Sequence, residues 1–404
     1  MYRLTGKRIL LGVTGGIAAY KTAVLLRLLQ KNGADVQVVM TRGATEFVTP
    51  LTFQALSGKV VHTELLDLET ESAMGHIELA RWADVILIAP ASANFIARVA
   101  NGYADDLLST LCLAADVPIL VAPAMNQQMW LNAATQENLE KLKTRGVVIL
   151  GPAEGDQACG ENGPGRMLEA DELALLTAKT FETNILTGSR ILVTAGPTRE
   201  AIDPVRYISN RSSGKMGYAV AMAALEAGAD VSLISGPVNL PEPERVKVTN
   251  VSSAAEMHSA VMQKISDTDI FISAAAVADY SLETISQQKI KKSSDSFELK
   301  LKKNPDILLE VAALQSAPFS VGFAAETENL ESNAQLKLRS KKLDMIAANL
   351  VGDNAGFDVD TNAMTVFWKT GQKQLQQAPK NRLARNLISL IADQYNGKNT
   401  NKTH

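Results

Sequence analysis

The stretch ILLGVTGGIAAYKTAVLLRLLQKNGADVQVVMT, residues 9–41, decides the fold. Its opening run is apolar with almost no alternation, which suits a strand covered on both faces of a parallel sheet. Paired glycines, Gly15 and Gly16, then make a turn. Residues 17–30 are rich in alanine and leucine and favour a helix, which Gly33 stops. A second β-branched run at 35–41 completes a strand–helix–strand unit.

Working outward, the same rhythm returns in DVILIAP (84–90), PILVAP (118–123) and VVILG (147–151). It lapses in the polar connector KTFETNILTGS (179–189) and restarts with RILVTAGPTRE (190–200). The openings TGKRILLGVTGG (5–16) and TGSRILVTAG (187–196) look alike, each a basic residue, a strand and a glycine-bearing turn. Further strands are expected at 230–236, 269–275, 320–325 and 344–349, with helices over Met216 to Ala227 and Ser252 to Ile265. The segment KIKKSSDSFELKLKK, from Lys289 to Lys303, alternates around a polar turn and reads as a two-stranded ribbon. The fold class is therefore α/β: two Rossmann-like three-layer domains with mostly parallel sheets, the second carrying a lysine-rich β-ribbon. The expected domains are 1–188 and 189–404, and the last ten residues, YNGKNTNKTH, are expected to fray.

Composition narrows the function. A chain of 404 residues holds two large or three modest domains. With 46% hydrophobic and 21% charged residues and a formal charge of -3, it is neither a disordered tail nor a coiled-coil rod. That balance offers no global attraction for a phosphate backbone or an acidic bilayer, so neither nucleic acid nor membrane is an expected partner. No run reaches the roughly 20 apolar residues needed to cross a bilayer. Two cysteines, Cys112 and Cys159, make no disulfide framework, and a reducing, cytoplasmic location is the simpler expectation.

Several polar residues stand at expected strand ends, where open α/β sheets place their ligands. Gly15 and Gly16 let backbone amides approach an anionic phosphate at a helix N-terminus, or simply make a tight turn. Ser92 and Asn94 follow the strand at 84–90. His76 precedes a helix and is either structural or an acid–base group. Asn126, in PAMNQQMW, can grip a carboxylate or an amide, or cap a loop. Cys159 lies in the glycine-rich ACGENGPGRM, where a movable thiol could donate a proton.

In the second half, GPTREAIDPVRYISNRSSGKMG (196–217) brings Arg199, Arg206, Asn210, Ser212, Ser213 and Gly214 into a loop suited to phosphate or carboxylate. Its SSGK does not match the P-loop spacing. Asp279, after AAAVA, either binds Mg2+ on a triphosphate or caps a helix. Lys289 either neutralises phosphate or belongs to a solvated face.

Together these strings resemble known proteins. GGIAAYK (15–21), GHIEL (75–79), PASAN (90–94), PAMNQQMW (123–130) and ACGENGPGRM (158–167) resemble the flavin-containing cysteine decarboxylase family. KNPDIL (303–308), GFAAET (322–327) and KLRSKKLDMIAAN (337–349) resemble the phosphopantothenate:cysteine ligase family, so the whole chain resembles its bifunctional members. The resemblance implies His76 as an essential active-site histidine, Asn126 as the substrate-carboxylate contact and Cys159 as the flap proton donor, with Arg166 on that flap. It places Gly15, Gly16, Ser92 and Asn94 around FMN. It implies Asn210 at an acyl intermediate and Asp279 at metal and nucleotide. Lys289 would contact activated phosphate. Ala274, Ala275, Asn304, Pro305, Asp306, Ile307, Leu308, Phe323, Lys337 and Lys341 would surround CTP.

The implied cofactors are FMN and Mg2+, with CTP as co-substrate. The implied substrates are 4'-phosphopantothenate, L-cysteine and 4'-phosphopantothenoylcysteine, two successive steps of coenzyme A biosynthesis. Trimer-forming and dimer-forming relatives imply a homo-oligomer, with a dodecamer as the combination of both contacts. The competing readings are a nucleotide-dependent oxidoreductase and a flavin-bearing protein without turnover.

Overall fold

The structure is a computed structural model and describes residues 4–65, 75–157, 160–291, 298–326, 328–350 and 360–400. The chain divides into two units, Met1–Phe181 and Glu182–His404. The connector expected to close the first domain belongs to the second. Leu186 is buried in the second unit's core, and the amides of Thr183 and Leu186 donate to Glu226 and Ala227.

The first unit is built on a six-stranded parallel sheet in the order Val61–His62, Asp35–Met40, Arg8–Val13, Val85–Ala91, Ile119–Pro123, Val148–Ile149. Alternate residues of each central strand feed different cores. Ile9, Leu11, Val85 and Leu87 pack on one face, while Leu10, Ile86 and Ile88 pack on the other. This two-sided burial is why the strands read as unbroken apolar runs. The helix predicted after the glycine turn spans Ala19–Lys31.

The second unit holds an eight-stranded sheet ordered Lys247–Asn250, Asp230–Ser235, Arg190–Ala195, Ile270–Ser273, Phe319–Glu326, Met345–Leu350, Thr361–Trp368, Gly371–Pro379. The first six are parallel and the last two antiparallel. Aspartates that open several apolar runs have a common task. Asp84, Asp269 and Asp344 accept an amide at the start of the neighbouring strand, from Arg8 at 2.9 Å, Arg190 at 2.8 Å and Ser320, the second residue of its strand, at 2.9 Å.

Two local expectations need revision. The ribbon pairs Tyr280–Leu282 with Leu301–Lys303, so only its return strand lies in the lysine-rich segment, and Lys289 is on the connection between the strands. A three-residue strand with one buried side chain, Leu282, leaves too short an alternation to read. The polar tail also continues the last helix, Lys380–Thr400. Tyr395 packs edge-on against Phe319 at 5.8 Å, and Lys398 pairs with Asp344, giving that turn contacts its composition does not advertise. Residues 401–404 lie outside the described residues. No described helix is long and apolar enough to cross a membrane. Cys112 is buried, and burial pushes its thiol up to about 12, leaving it in the neutral form as part of the core.

Candidate active sites

In each large sheet the strand order reverses beside the unit's first strand, and ligands of open α/β folds bind at the carboxyl side of such a reversal. In the first unit it lies between Arg8–Val13 and Val85–Ala91. Thr14 joins the two strand ends. Its hydroxyl donates to the Pro90 carbonyl at 2.8 Å and accepts the Ser92 amide at 2.9 Å. Ser92 in turn caps Ala93–Asn101 by accepting from the Phe95 amide at 3.3 Å. Asn94 is exposed in that helix's first turn.

Gly15 passes within contact of Gly43, whose backbone would lie 2.8 Å from any Cβ placed there, whereas nothing lies within 4 Å of one on Gly16. Among the described residues the amides of Gly15, Gly16, Ile17 and Ala18 donate to no protein acceptor. Four unspent donors at a helix N-terminus beside an open glycine fit the phosphate of a nucleotide-like cofactor.

His76 opens the helix His76–Trp82 and is half-buried. Asn126 follows the strand Ile119–Pro123 and caps Gln127–Leu131, accepting from the Gln128 amide at 2.8 Å. Its amide nitrogen donates to Glu161 at 2.6 Å and to Gln157 at 3.4 Å. Both partners belong to the turn of a hairpin, Ala153–Asp156 with Asn162–Arg166. Cys159 lies outside the described residues. The turn closes through the Gln157 amide and the Glu161 carbonyl at 2.7 Å.

The hairpin lies so close to the Asn126 loop that a Cβ on Gly165 would meet the Met125 carbonyl at 2.3 Å. Met125 donates its amide to that same Gly165 at 2.9 Å. Glycine is what lets the ribbon approach. Arg166 lies on its second strand and faces Glu169 at 3.5 Å. Sequence reasoning missed Gln157 and Glu161 as partners of Asn126, since nothing local links positions 31 and 35 residues apart.

The second unit repeats the logic between Arg190–Ala195 and Ile270–Ser273. Here the two loops are laced together. Ala275 donates to the Thr194 hydroxyl at 3.3 Å, Ala278 to the Thr198 hydroxyl at 2.9 Å, and Ala276 to the Gly196 carbonyl at 2.9 Å. Asn210 donates its side-chain amide to Ala276 and Val277 at 3.3 and 3.0 Å. Asn304 donates its main-chain amide to Asp279 and its side-chain amide to Ala278, both at 2.8 Å. Ala274, Ala275, Asn210, Asp279 and Asn304 are thus one group of neighbouring residues. The exposed Asp279 suits Mg2+ held largely by substrate phosphates, which requires one or two protein carboxylates.

Asp306 caps Ile307–Ala312, accepting from Leu309 at 3.1 Å, and pairs with Lys341 at 2.7 Å. Lys337 pairs with Glu326 at 2.7 Å, at the end of the strand carrying Phe323. Pro305 and Leu308 bracket that cap. Arg206, read as a loop cation open to ligand, is engaged by Asp203 at 2.7 Å. Lys289 is exposed.

The chain also matches two family models, Flavoprotein over residues 2–182 and DNA/pantothenate metabolism flavoprotein C-terminal domain over 186–395. It is 56% identical to the coenzyme A biosynthesis bifunctional protein CoaBC of Vibrio cholerae serotype O1, over 98% of this chain and 100% of that protein. The chain belongs to the CoaBC family. The Escherichia coli strain K12 member is 52% identical over 98% of this chain and 99% of that protein. Among solved structures, the C-terminal domain of a coenzyme A biosynthesis bifunctional protein CoaBC is 40% identical, covering 52% of this chain and 96% of that one, with a TM-score of 0.45. Family membership makes the chain a bifunctional enzyme of coenzyme A biosynthesis, a ligase joined to a flavoprotein decarboxylase.

Proposed function

We propose that the carboxyl-terminal unit joins 4'-phosphopantothenate to L-cysteine at the expense of CTP, and that the amino-terminal unit decarboxylates the resulting 4'-phosphopantothenoylcysteine with FMN to give 4'-phosphopantetheine. What supports this reading is that Gly15, Gly16 and Ser92 stand beside the strand reversal of the first sheet, that Asn210, Ala275, Asp279 and Asn304 stand beside that of the second, and that Asn126 bonds to Gln157 and Glu161 on either side of Cys159 in the chain.

In the ligase, a carboxylate oxygen of 4'-phosphopantothenate attacks the α-phosphorus of CTP and expels pyrophosphate. The amine of cysteine then attacks the acyl carbon, CMP leaves, and an amide forms with loss of a proton. Asp279 would share Mg2+ with the triphosphate, and Lys289, Lys337 and Lys341 would offset its charge. Lys337 and Lys341 must exchange Glu326 and Asp306 for phosphate. The amide of Asn210 would hold the acyl intermediate. Ala274 and Ala275 would bring backbone to the phosphates, with Asn304 to Leu308 and Phe323 along the nucleoside.

In the decarboxylase, FMN supplies a two-electron acceptor and donor when bound. The free amides from Gly15 to Ala18 would hold its phosphate, and Ser92 and Asn94 would line the same edge. Asn126 would orient the departing carboxylate, with His76 beside it. Cys159 would deliver the proton that replaces CO2 in the product. Exposed Ile17 on the glycine turn, with Tyr20 and Val24 on the helix that follows it, supports burial of that face in a homo-oligomer.

The test is one reaction with 4'-phosphopantothenate, L-cysteine, Mg2+ and either CTP or ATP, following pyrophosphate, CO2 and product mass. The expected result is equal pyrophosphate, CO2 and 4'-phosphopantetheine, with CTP preferred. Turnover of a nicotinamide without nucleotide consumption would favour the oxidoreductase reading instead.

A further inference from the structure

The side chain of Asp203 is fully buried although it is an ionised carboxylate on a surface turn. Its Oδ1 accepts the amides of Val205 and Arg206, each at 2.8 Å. Its Oδ2 accepts Nε and Nη2 of Arg206 at 3.0 and 2.7 Å, and also the amide of Ile290 at 3.1 Å. The same Arg206 Nη2 donates to the Ile290 carbonyl at 2.6 Å. Ile290, 87 positions along the chain, is therefore held by both of its main-chain polar groups.

A second anchor lies four residues earlier, where the Ser286 amide donates to Ile202 at 3.1 Å. Between these anchors stands Lys289, with no secondary structure of its own. The turn doing the anchoring joins the strands Arg199–Ala201 and Tyr207–Ser209, which lead directly to Asn210.

We propose that Asp203 is a positioning residue for the ligase reaction: with Arg206 it clamps Ile290 and so fixes where Lys289 is presented relative to Asn210. The inference rests on the reading of Lys289 as a contact to activated phosphate. A carboxylate is needed because five donors converge on two oxygens. An amide would keep one acceptor and turn an NH2 toward donors. Burial alone would raise this carboxyl, but the amides of Val205, Ile290 and Arg206 and the guanidinium of Arg206 outweigh it and bring it down to about 2, so the clamp is charged throughout the working pH range. A lysine on an irregular connection otherwise presents its side chain from many backbone positions, and a fixed main chain one residue away removes that backbone part of its freedom.

The test uses the full-length protein as Asp203→Asn, Lys289→Met and the double variant. Ligation is read as pyrophosphate release with 4'-phosphopantothenate, L-cysteine, CTP and Mg2+. Decarboxylation of supplied 4'-phosphopantothenoylcysteine is measured on the same preparations. Asp203→Asn is expected to lower the ligation kcat about 10- to 100-fold, the scale of lost charge-assisted hydrogen bonds, with the KM for cysteine and the decarboxylation unchanged. In the Lys289→Met background the same change is expected to cost no more than about 3-fold, because the two residues act as one unit.

Equal losses in both backgrounds, or unchanged ligation in Asp203→Asn, would overturn the proposal. Should Asp203→Asn not yield folded protein, Asp203→Glu keeps the charge and displaces it by one methylene. That variant is expected to lose ligation about 10-fold, and full ligation by it also overturns the proposal. Lys289→Met ligating at the wild-type rate would instead remove the assignment of Lys289, and the proposal with it.

Discussion

The two sites occupy equivalent places in their sheets but are held in opposite ways. In the amino-terminal unit the key amide, Asn126, is bonded to a separate glycine-rich hairpin through Gln157 and Glu161. In the carboxyl-terminal unit the equivalent loops are stitched by main-chain and threonine bonds, and the cations are matched to internal acids. In the first, the amide proposed to meet a substrate carboxylate is bonded to the Glu161 carboxylate. The second builds a fixed frame and leaves only charges to be exchanged. One switch-point geometry therefore carries two kinds of frame, one tied to a separate hairpin and one laced within its own loops.

The contrast can be broken most severely at Asn126. Asn126→Ala removes the amide donor without touching the sheet, and decarboxylation is expected to fall about 100-fold or more while ligation holds. Steady-state rates for both half-reactions on one preparation decide it. A parallel fall in both would mean the site is not separable from the fold.

At the carboxyl-terminal site the expected effect is smaller. Lys341→Met frees Asp306 and deletes one cation, so the KM for CTP is expected to rise about 10-fold with little change in the KM for cysteine. An unchanged KM for CTP would show that the pairing with Asp306 is structural only.

These sites were legible to different depths. Strands covered on both faces announce themselves as apolar runs, and Gly15 and Gly16 are visible because the turn they form follows such a run. Asp84, Asp269 and Asp344 stand in the sequence as the first letter of a strand, yet their bond to the neighbouring strand is a tertiary fact. Glu161 and Asp203 were not singled out because their partners lie far along the chain and a lone acid in a polar loop has many uses. Arg206 was read as a ligand cation for the same reason, when its nearest acid three positions earlier already holds it. The connector at 182–189 is polar in composition, and the burial of Leu186 together with the main-chain bonds of Thr183 and Leu186 to Glu226 and Ala227 assigns it to the second unit.

A finer probe concerns Glu161. Its carboxylate occupies the amide that the reading reserves for a substrate carboxylate, so Glu161→Gln is expected to lower the KM for 4'-phosphopantothenoylcysteine a few-fold, about the worth of one exposed charge-assisted bond. A higher KM with unchanged kcat would mean that Glu161 orders the hairpin more than it competes.

The smallest effect is on stability at low pH. The Asp203 carboxyl is depressed from 3.8 to about 2. Its contribution is therefore fully present above pH 3.8 and is lost as pH falls through about 2. Acid unfolding followed by circular dichroism should show Asp203→Asn losing sensitivity in that window. Identical acid profiles for the variant and the parent would contradict the depressed value.

The claim that two separately built sites run two reactions is tested most directly by assaying both half-reactions in Cys159→Ser and Asn210→Ala. Cys159→Ser is expected to keep pyrophosphate release and lose 4'-phosphopantetheine formation, and Asn210→Ala to lose ligation and still decarboxylate supplied 4'-phosphopantothenoylcysteine. If each folded variant loses both activities, or keeps both, the division of labour described here is contradicted.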